Sequence, residues 1–368
     1  MSTIGSELHN SLLQILGWNK ARLDCFTQMV LAVISVKTVN LVEWSMVFMG
    51  KAKQESSYVR IRRFFKSFVI DFDVIADMLF SWFGLHGESI YLTLDRTNWQ
   101  FGSSKINILM LGVVYKGIAI PLYWSLLDKK GNSNYQERVE LITKFINKFG
   151  GSCNVKGLLG DREFVGAKWF DYLKSQQIPF YFRIKSNMLV SNKKGKMTNA
   201  MFLFSGLKRC EVRILEHKRI LSGLKLSIVG ARCPDGGYII IATTESQDNA
   251  IEIYRKRWEI ETLFGCLKTR GFNFEDTHLT DKDRLMKLIV VLAIGFSWAH
   301  KIGEWHNQIK PIKFKKHGRL AESIFHYGFK ILRKLIFDRP KISTVRKLIT
   351  LLELPPEDIK FKKLGATI

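Results

Sequence analysis

The spacing of apolar residues changes after residue 88, and this change constrains the fold most. Apolar runs typical of β-strands begin at Ser89, Asn107, Ile118, Lys156 and Pro179. Helical spacing separates the later runs, over 135–149 and 168–175. The chain order of three strands, a helix, a strand, a helix and a strand predicts a mixed α/β layer.

The segments on either side of this layer have different patterns. Helical spacing dominates the start of the chain, and a β-rich stretch with a predicted hairpin around 233–237 follows the layer. Further helices follow, the last of them basic. The predicted organisation is a helical region at 1–85, a core at 86–186 and 246–306, a β-rich insertion at 187–245, and a basic helical region at 307–368.

The net charge limits the classes of partner. The chain has 57 Lys and Arg against 33 Asp and Glu, a formal charge of +24. This excess predicts a polyanionic partner, most simply nucleic acid, with a basic membrane-surface protein as the alternative. The longest apolar run, 288–298, is too short to span a bilayer and predicts a buried core helix. We therefore expect no membrane association.

One basic stretch is a candidate for phosphate contacts. Six basic residues and one acid lie between residues 51 and 66, interleaved with aromatic residues. Arg60, Arg62 and Arg63 are the predicted DNA-binding residues of this stretch. The alternative is an ordinary solvated helix face.

The cysteines indicate a reducing compartment. There are five, an odd number, and none has the spacing of a C-x-x-C motif. We expect reduced thiols in a cytosol, with neither a disulfide framework nor a zinc site. The first ten residues also lack the pattern of a signal peptide.

A polar stripe marks the helix predicted from about Asn249 to Thr269. At about 100° per residue, four side chains fall within about 60° of arc on one face: Tyr254, Arg257, Glu261 and Lys268. Glu259 falls on the opposite face. Such a stripe is usually a solvated face, so its interpretation depends on what else lies nearby.

Two acids change that interpretation. Asp95 and Asp161 each end a predicted apolar strand, where a buried carboxylate is costly unless a cation or metal pairs with it. With Glu261, they form a predicted oxygen-ligand site for Mg²⁺ or Mn²⁺. Two such ions suit phosphodiester chemistry, with Arg257 and Lys268 holding DNA phosphates.

The same residues carry a family resemblance. The spacing Tyr-x2-Arg-x3-Glu-x6-Lys from Tyr254 to Lys268 resembles the signature of bacterial insertion-sequence transposases of the DDE type. The segments Leu-Asp-Arg-Thr-Asn-Trp at 94–99 and Gly-Asp-Arg-Glu-Phe at 160–164 resemble the two aspartate boxes of that family. The resemblance covers about 88–300.

The resemblance implies a fold and a reaction. The fold is a ribonuclease H-like catalytic core, interrupted by a β-rich insertion before the catalytic glutamate and flanked by helical regions, the first of which binds DNA. The reaction is cut-and-paste transposition, in which inverted-repeat ends are nicked and their 3′-hydroxyls are transferred into target DNA. The implied partners are the double-stranded ends, target DNA and a second copy of the chain in a synaptic homodimer.

The resemblance also implies residue roles and a location. Two Mg²⁺ or Mn²⁺ ions would be held by Asp95, Asp161 and Glu261. Phosphates near the cleaved end would be contacted by Tyr254, Arg257 and Lys268. The implied location is the bacterial cytoplasm, at the nucleoid.

Some relatives stack a flipped base on a tryptophan of the β insertion, but no Trp occurs between 187 and 245, which leaves a hairpin intermediate undecided. We expect Trp258 to be a core residue.

The alternative functions are a non-catalytic DNA-binding protein, against which the intact acids argue, and a ribonuclease H-like nuclease or resolvase that cuts without joining.

Overall fold

The structure is a computed structural model that describes residues 2–245, 248–316, 318–338 and 340–355. The helices are α1 (Thr3–Leu16), α2 (Lys20–Val36), α3 (Leu41–Val47), α4 (Gln54–Ser67), α5 (Phe72–Trp82), α6 (Tyr135–Phe149), α7 (Ala167–Ser175), α8 (Ala250–Arg255), α9 (Trp258–Leu267), α10 (Lys282–Ile309), α11 (Ile324–Asp338) and α12 (Ile342–Glu353). The strands are β1 (Ser89–Phe101), β2 (Ser104–Tyr115), β3 (Ile118–Leu126), β4 (Asn154–Gly160), β5 (Phe180–Ile184), β6 (Leu189–Ser191), β7 (Met197–Asn199), β8 (Val212–Ile214), β9 (Arg219–Leu221), β10 (Leu224–Arg232) and β11 (Tyr238–Thr243).

The strands form one mixed sheet, as the sequence predicts. Their order is β3-β2-β1-β4-β5-β11-β10-β9-β6-β7, and β8 pairs with β10. β4 lies parallel to both β1 and β5, whereas β2 with β3 and β5 with β11 are antiparallel. The last four residues of β4, 157–160, are apolar and buried, as expected of a central parallel strand with both faces covered. The predicted order of strands and helices from 89 to 184 is confirmed.

The first three strands form a meander. At the β2–β3 turn, Lys116 and Gly117 both have positive φ, the conformation that a two-residue hairpin requires. β1 runs on to Phe101, so the prediction that this strand ends at Asp95 is wrong. The strand continues because β2 pairs with β1 and the two are separated by a turn of only two residues.

The last two strands of the predicted insertion belong to the main sheet. β10 and β11 form the predicted hairpin, but β11 also pairs with β5, with Ile240 opposite Ile184. The alternating pattern of these strands predicts a strand but does not select its partner. Pairing with β11 satisfies the backbone groups along the free edge of β5.

The chain divides into two compact units. The sheet unit comprises residues 87–98 and 107–262, and the helical unit comprises 1–86, 99–106 and 263–368. In the helical unit the chain bends by 102° between α2 and α3. Lys37 has a φ of 62° at the end of α2, and the Asn40 side chain caps α3.

The long helix α10 forms the centre of the helical unit, where it packs against α2, α4, α5, α11 and α12. By length and composition α10 could cross a membrane, but 94% of its most apolar window is buried inside the protein. That burial is typical of a core helix, as the sequence predicts. Residues 356–368, at the end of the predicted basic C-terminal region, lie outside the described residues.

Two buried lysines of α10 bond to the ends of neighbouring helices. Lys287 donates to the carbonyl of Phe65 in the last turn of α4. Lys301 donates to the carbonyls of Trp82 and Leu352 in the last turns of α5 and α12. The last carbonyls of a helix lack partners within it and carry partial negative charge. The two lysine side chains therefore supply hydrogen bonds to carbonyl groups at helix ends that lie inside the apolar core.

Candidate active site

The two predicted aspartates lie side by side in the sheet unit. β1 and β4 pair in parallel up to the pair Leu94–Gly160, and Asp95 and Asp161 are the next residue of each segment. Gly160 is needed at this position because a Cβ there would lie 2.7 Å from the ring of Phe182. Both carboxylates therefore lie at the same end of the parallel β1–β4 pair.

The predicted helix that carries the polar stripe is interrupted. α8 ends at Arg255 and α9 begins at Trp258, and the prediction of one helix over 249–269 is wrong. Between them Arg257 N–H bonds to the carbonyl of Tyr254 at 2.9 Å, the three-residue spacing of a 3₁₀ turn. Residues 250–264 contain neither Gly nor Pro, so local propensity gives no sign of the break. The break between α8 and α9 lies at Arg257, which makes long-range contacts.

The guanidinium of Arg257 joins two of the three predicted acids. Its Nη1 donates to Asp95 Oδ2 at 2.9 Å and its Nη2 donates to Glu261 Oε1 at 2.5 Å. The Arg257 side chain is only 6% exposed. A buried guanidinium must be paired with acids, so this arginine is the counterion of both carboxylates.

Tyr254 links the third acid to the same arginine. Its hydroxyl donates to Asp161 Oδ1 at 3.3 Å and accepts from Arg257 Nε at 3.1 Å. The ring is buried in an apolar cluster with Leu159 and Ile241. Burial raises the pKa of Tyr254 to about 12, so the hydroxyl remains a donor at neutral pH. Five side chains therefore form one connected set, here called the acid network: Asp95, Asp161, Tyr254, Arg257 and Glu261.

The electrostatics of Asp95 are those of a buried carboxylate. Burial raises its pKa to about 6, although Arg257 and the backbone N–H of Arg96 act in the opposite direction. Burial alone would lower the pKa of Arg257, but the neighbouring Tyr254, Asp95 and Glu261 together raise it. Arg257 and the backbone N–H of Arg96 thus offset only part of the cost of burying the ionised Asp95 carboxylate.

Glu259 lies apart from the acid network, as the helical arithmetic predicts. Its Oε2 accepts from the backbone N–H of Tyr115 at 2.7 Å. Burial raises the pKa of Glu259 to about 7, with backbone N–H groups of Tyr115 and Gly117 opposing that shift. This glutamate holds the turn between β2 and β3.

Lys268 is already ion-paired, and Trp258 is exposed. Lys268 forms an ion pair of 2.7 Å with Glu275, its ammonium lies over the ring of Trp99, and its side chain is 17% exposed. Its charge is already paired. The expectation that Trp258 is a core residue is wrong, because Trp258 is 60% exposed. Its ring begins α9, next to Arg257.

The contacts also reveal a pair that the sequence-based reasoning missed. Arg96, directly after Asp95, forms a bidentate ion pair with Glu163, two residues after Asp161. The signal was an arginine in one aspartate box and a glutamate in the other. Arg162, between Asp161 and Glu163, is exposed and lies 3.9 Å from Asp161.

Comparison with known proteins assigns the chain to a family. A family model described as the transposase DDE domain matches residues 98–296. The chain belongs to this family of DDE transposases. It is therefore a DNA transposase, and enzymes of this family generally use divalent metal ions. Asp161 and Glu261 lie within the matched segment of the transposase, and Asp95 lies three residues before it.

Other comparisons add the following. The transposase chain is similar to the cryo-EM structure of the piggyBac transposase synaptic complex with hairpin DNA, with a TM-score of 0.47 and 12% sequence identity over 97% of this chain and 84% of that chain. A search of curated protein sequences found no match.

The donor set of the transposase fits a divalent ion, although the present arrangement is not a coordination shell. Carboxylate oxygens are the ligands that Mg²⁺ and Mn²⁺ prefer, and a cation, Arg257, already lies between Asp95 and Glu261. Among the residues described, no three acidic, histidine or cysteine side chains are close enough to share a metal. Metal binding at these acids therefore requires the guanidinium to move.

The predicted DNA-binding arginines lie on α4 of the helical unit and face two different depressions. Arg60 is half-buried and donates to the carbonyl of Ala21, and with Arg63 and Arg22 it lines a surface depression of about 520 Å³. Arg62 is exposed and lines a smaller depression of about 160 Å³. Arg62 and Arg63 are about 100° apart on the helix, so the three arginines do not form a single row.

Proposed function

We propose that this transposase binds the inverted-repeat ends of an insertion sequence, cleaves phosphodiester bonds there, and transfers the 3′-hydroxyl ends into target DNA. Asp95, Asp161 and Glu261 are the proposed ligands of two Mg²⁺ or Mn²⁺ ions. One observation carries the proposal: three acids distant in sequence are joined by the buried side chains of Arg257 and Tyr254 in one hydrogen-bonded network, at the end of the parallel pairing between β1 and β4.

The strand order supports a ribonuclease H-like core. Three antiparallel strands, β3-β2-β1, are followed by the parallel strands β4 and β5. In this proposal the core spans 86–186 and 246–306, and the strands of 187–245 are an insertion before Glu261. The regions at 1–85 and 307–368 flank the core.

Metal binding assigns a task to each member of the acid network. When bound, two divalent ions would activate the attacking oxygen and stabilise the leaving oxygen of the phosphodiester. Asp95, Asp161 and Glu261 supply the oxygen ligands, and the Tyr254 hydroxyl holds Asp161 in orientation. Arg257, released from Asp95 and Glu261, can donate two parallel hydrogen bonds to a DNA phosphate.

Two further residues are placed to contact DNA. The exposed ring of Trp258 begins α9 beside Arg257 and offers a flat apolar face on which a base can stack. Lys268 can bind a phosphate when its ammonium group leaves the carboxylate of Glu275. Tyr254 is buried to 3% exposure, so its role is to support Asp161, and any DNA contact would be through its hydroxyl alone.

The partners follow from charge and from the reaction. A net charge of +24 favours DNA, and Arg60, Arg62 and Arg63 on α4 are the proposed contacts outside the core. Two ends must be brought together before transfer, so a homodimer is the proposed assembly. The proposed site of action is the bacterial nucleoid in the cytoplasm.

The experiment is a cleavage assay on a duplex that contains the DNA flanking the coding region on both sides, with Mg²⁺. Glu261→Gln should abolish cleavage while leaving DNA binding largely intact, because it removes one proposed ligand. Glu259→Gln is the matched control, since its amide oxygen can still accept from Tyr115. Equal cleavage by wild type and Glu261→Gln would contradict the proposal.

The same assay separates the alternative functions. A non-catalytic DNA-binding protein would bind the duplex without cutting it. A ribonuclease H-like nuclease or resolvase would cut but give no product in which a 3′ end is joined to a target plasmid. The proposal requires both cleavage and joined product.

A further inference from the structure

The Arg96–Glu163 ion pair joins the segments that carry the two aspartates. Arg96 Nε donates to both carboxylate oxygens of Glu163, at 2.8 and 3.0 Å, and Nη2 donates to Oε2 at 2.7 Å. The side chains are 11% and 15% exposed. A bidentate, largely buried pair of this kind fixes orientation as well as distance.

The position of the pair along the chain gives it a mechanical role. The ladder between β1 and β4 ends at Leu94 and Gly160, so backbone pairing does not hold the two segments together beyond these residues. Arg96 and Glu163 close this gap one and two residues past the aspartates. The backbone N–H of Arg96 also donates to Asp95 Oδ1 at 2.8 Å.

Neighbouring polar groups fix each partner of the ion pair. The Arg96 guanidinium also donates to Asn107 Oδ1 at 2.9 Å and Asn132 Oδ1 at 3.1 Å. The backbone carbonyl of Glu163 accepts from Arg138 at 2.9 Å. Both carboxylate oxygens of Glu163 are already used by Arg96, which separates this acid from the proposed metal ligands.

We propose that Arg96 and Glu163 are positioning residues that set the separation of Asp95 and Asp161 and thereby favour Mg²⁺. The inference rests on the proposed function, in which these aspartates hold the metal ions. Mg²⁺ demands near-ideal octahedral geometry at short distances. Loosening the pair therefore weakens Mg²⁺ binding more than the binding of the larger Mn²⁺.

The test measures metal binding and folding separately. Isothermal titration calorimetry with Mg²⁺ alone and Mn²⁺ alone, on the purified full chain, gives both dissociation constants for wild type, Arg96→Gln, Glu163→Gln and Glu163→Asp. Partners of metal ligands typically contribute about 10- to 100-fold in affinity, so we expect a loss of that size for Mg²⁺ and a smaller one for Mn²⁺. Glu163→Asp keeps the charge, so it should stay folded yet show the same change in preference.

Two controls distinguish failure of the positioning role from failure of the proposed function. Glu137→Gln alters a nearby ion pair with Lys129 that does not join the aspartate segments, and Gln still suits the cap of α6, so it should bind both metals like wild type. Folded variants with wild-type affinities, or variants that all fail to fold, would overturn the positioning role. If Asp95→Asn and Asp161→Asn also bind metal like wild type, the proposed function fails instead.

Discussion

The Arg257 guanidinium lies 2.9 Å from Asp95 and, through its other amino group, bonds to Glu261. Arg257 thus supplies positive charge between two acids that are proposed ligands of a divalent metal. The family resemblance implies that the same arginine contacts DNA phosphates. Both roles are compatible if the guanidinium moves from the carboxylates to a phosphate when metal and DNA are bound.

Replacing Arg257 should therefore strengthen metal binding in the absence of DNA. Arg257→Gln removes the competing charge from Asp95 and Glu261, and we expect Mn²⁺ to bind at least about tenfold more tightly, the effect of roughly 1.4 kcal/mol. Calorimetric titration with Mn²⁺ measures it. Lys268→Gln is the control, because that ammonium is paired with Glu275. Unchanged or weaker Mn²⁺ binding by Arg257→Gln would count against the exchange.

Replacing Asp95 should stabilise the metal-free protein at neutral pH. The folded-state pKa of Asp95 is raised from 3.8 to about 6, so the folded state binds a proton more tightly than the unfolded chain. The free energy of unfolding therefore falls as pH rises from about 4 to 6 and stays low above that. Asp95→Asn cannot ionise, and we expect a gain of about 2 to 3 kcal/mol at pH 8 that vanishes near pH 4.

Thermal unfolding in EDTA at several pH values measures this difference. Added Mn²⁺ should reverse it, because the ion stabilises only the chain that can bind it. A loss of stability in Asp95→Asn at pH 8 would show that its ion pair with Arg257 outweighs the cost of burial.

The two exposed arginines of α4 should contribute to DNA binding independently. Arg62→Gln and Arg63→Gln are each expected to reduce the slope of log affinity against log salt by about one unit. Arg60→Gln should have a smaller effect, because its guanidinium is bonded to Ala21. Arg346→Gln, an exposed arginine on α12 that lies 3.8 Å from Glu7, is the control. Binding titrations across a salt series would refute the assignment if neither slope changed.

Replacing Lys301 should destabilise the helical unit. Lys301→Met leaves the carbonyls of Trp82 and Leu352 buried without their donor, at a cost of about 1 to 3 kcal/mol for each unsatisfied group. We expect a lower melting temperature and faster proteolysis of α12. A melting temperature equal to that of wild type would mean that water or another donor replaces the ammonium group.

The local patterns of the sequence predict the strands and the aspartates well. Apolar runs with clear turn signals locate β1 to β5, and the parallel pairing of β1 with β4 then places Asp95 beside Asp161. The organisation into strands and helices is a local property, so it is readable from spacing. The family motifs add Glu261 on the following helix.

The contacts that shape the site could not be predicted in this way. The break between α8 and α9 occurs among good helix formers and accompanies the burial of Arg257. The partners of Arg257 and Arg96, like the pairing of β11 with β5, join residues distant in sequence. Long-range packing overrides local propensity at these places, and periodicity carries no information about it.

In the proposed function, Asp95, Asp161 and Glu261 together hold a pair of divalent ions. The most direct measurement is the number of Mn²⁺ ions bound per chain, by calorimetry on the full-length protein with a duplex of the flanking DNA present. We expect two ions for wild type and none at these acids in the triple variant Asp95→Asn, Asp161→Asn, Glu261→Gln. Equal Mn²⁺ binding by the two proteins would contradict it.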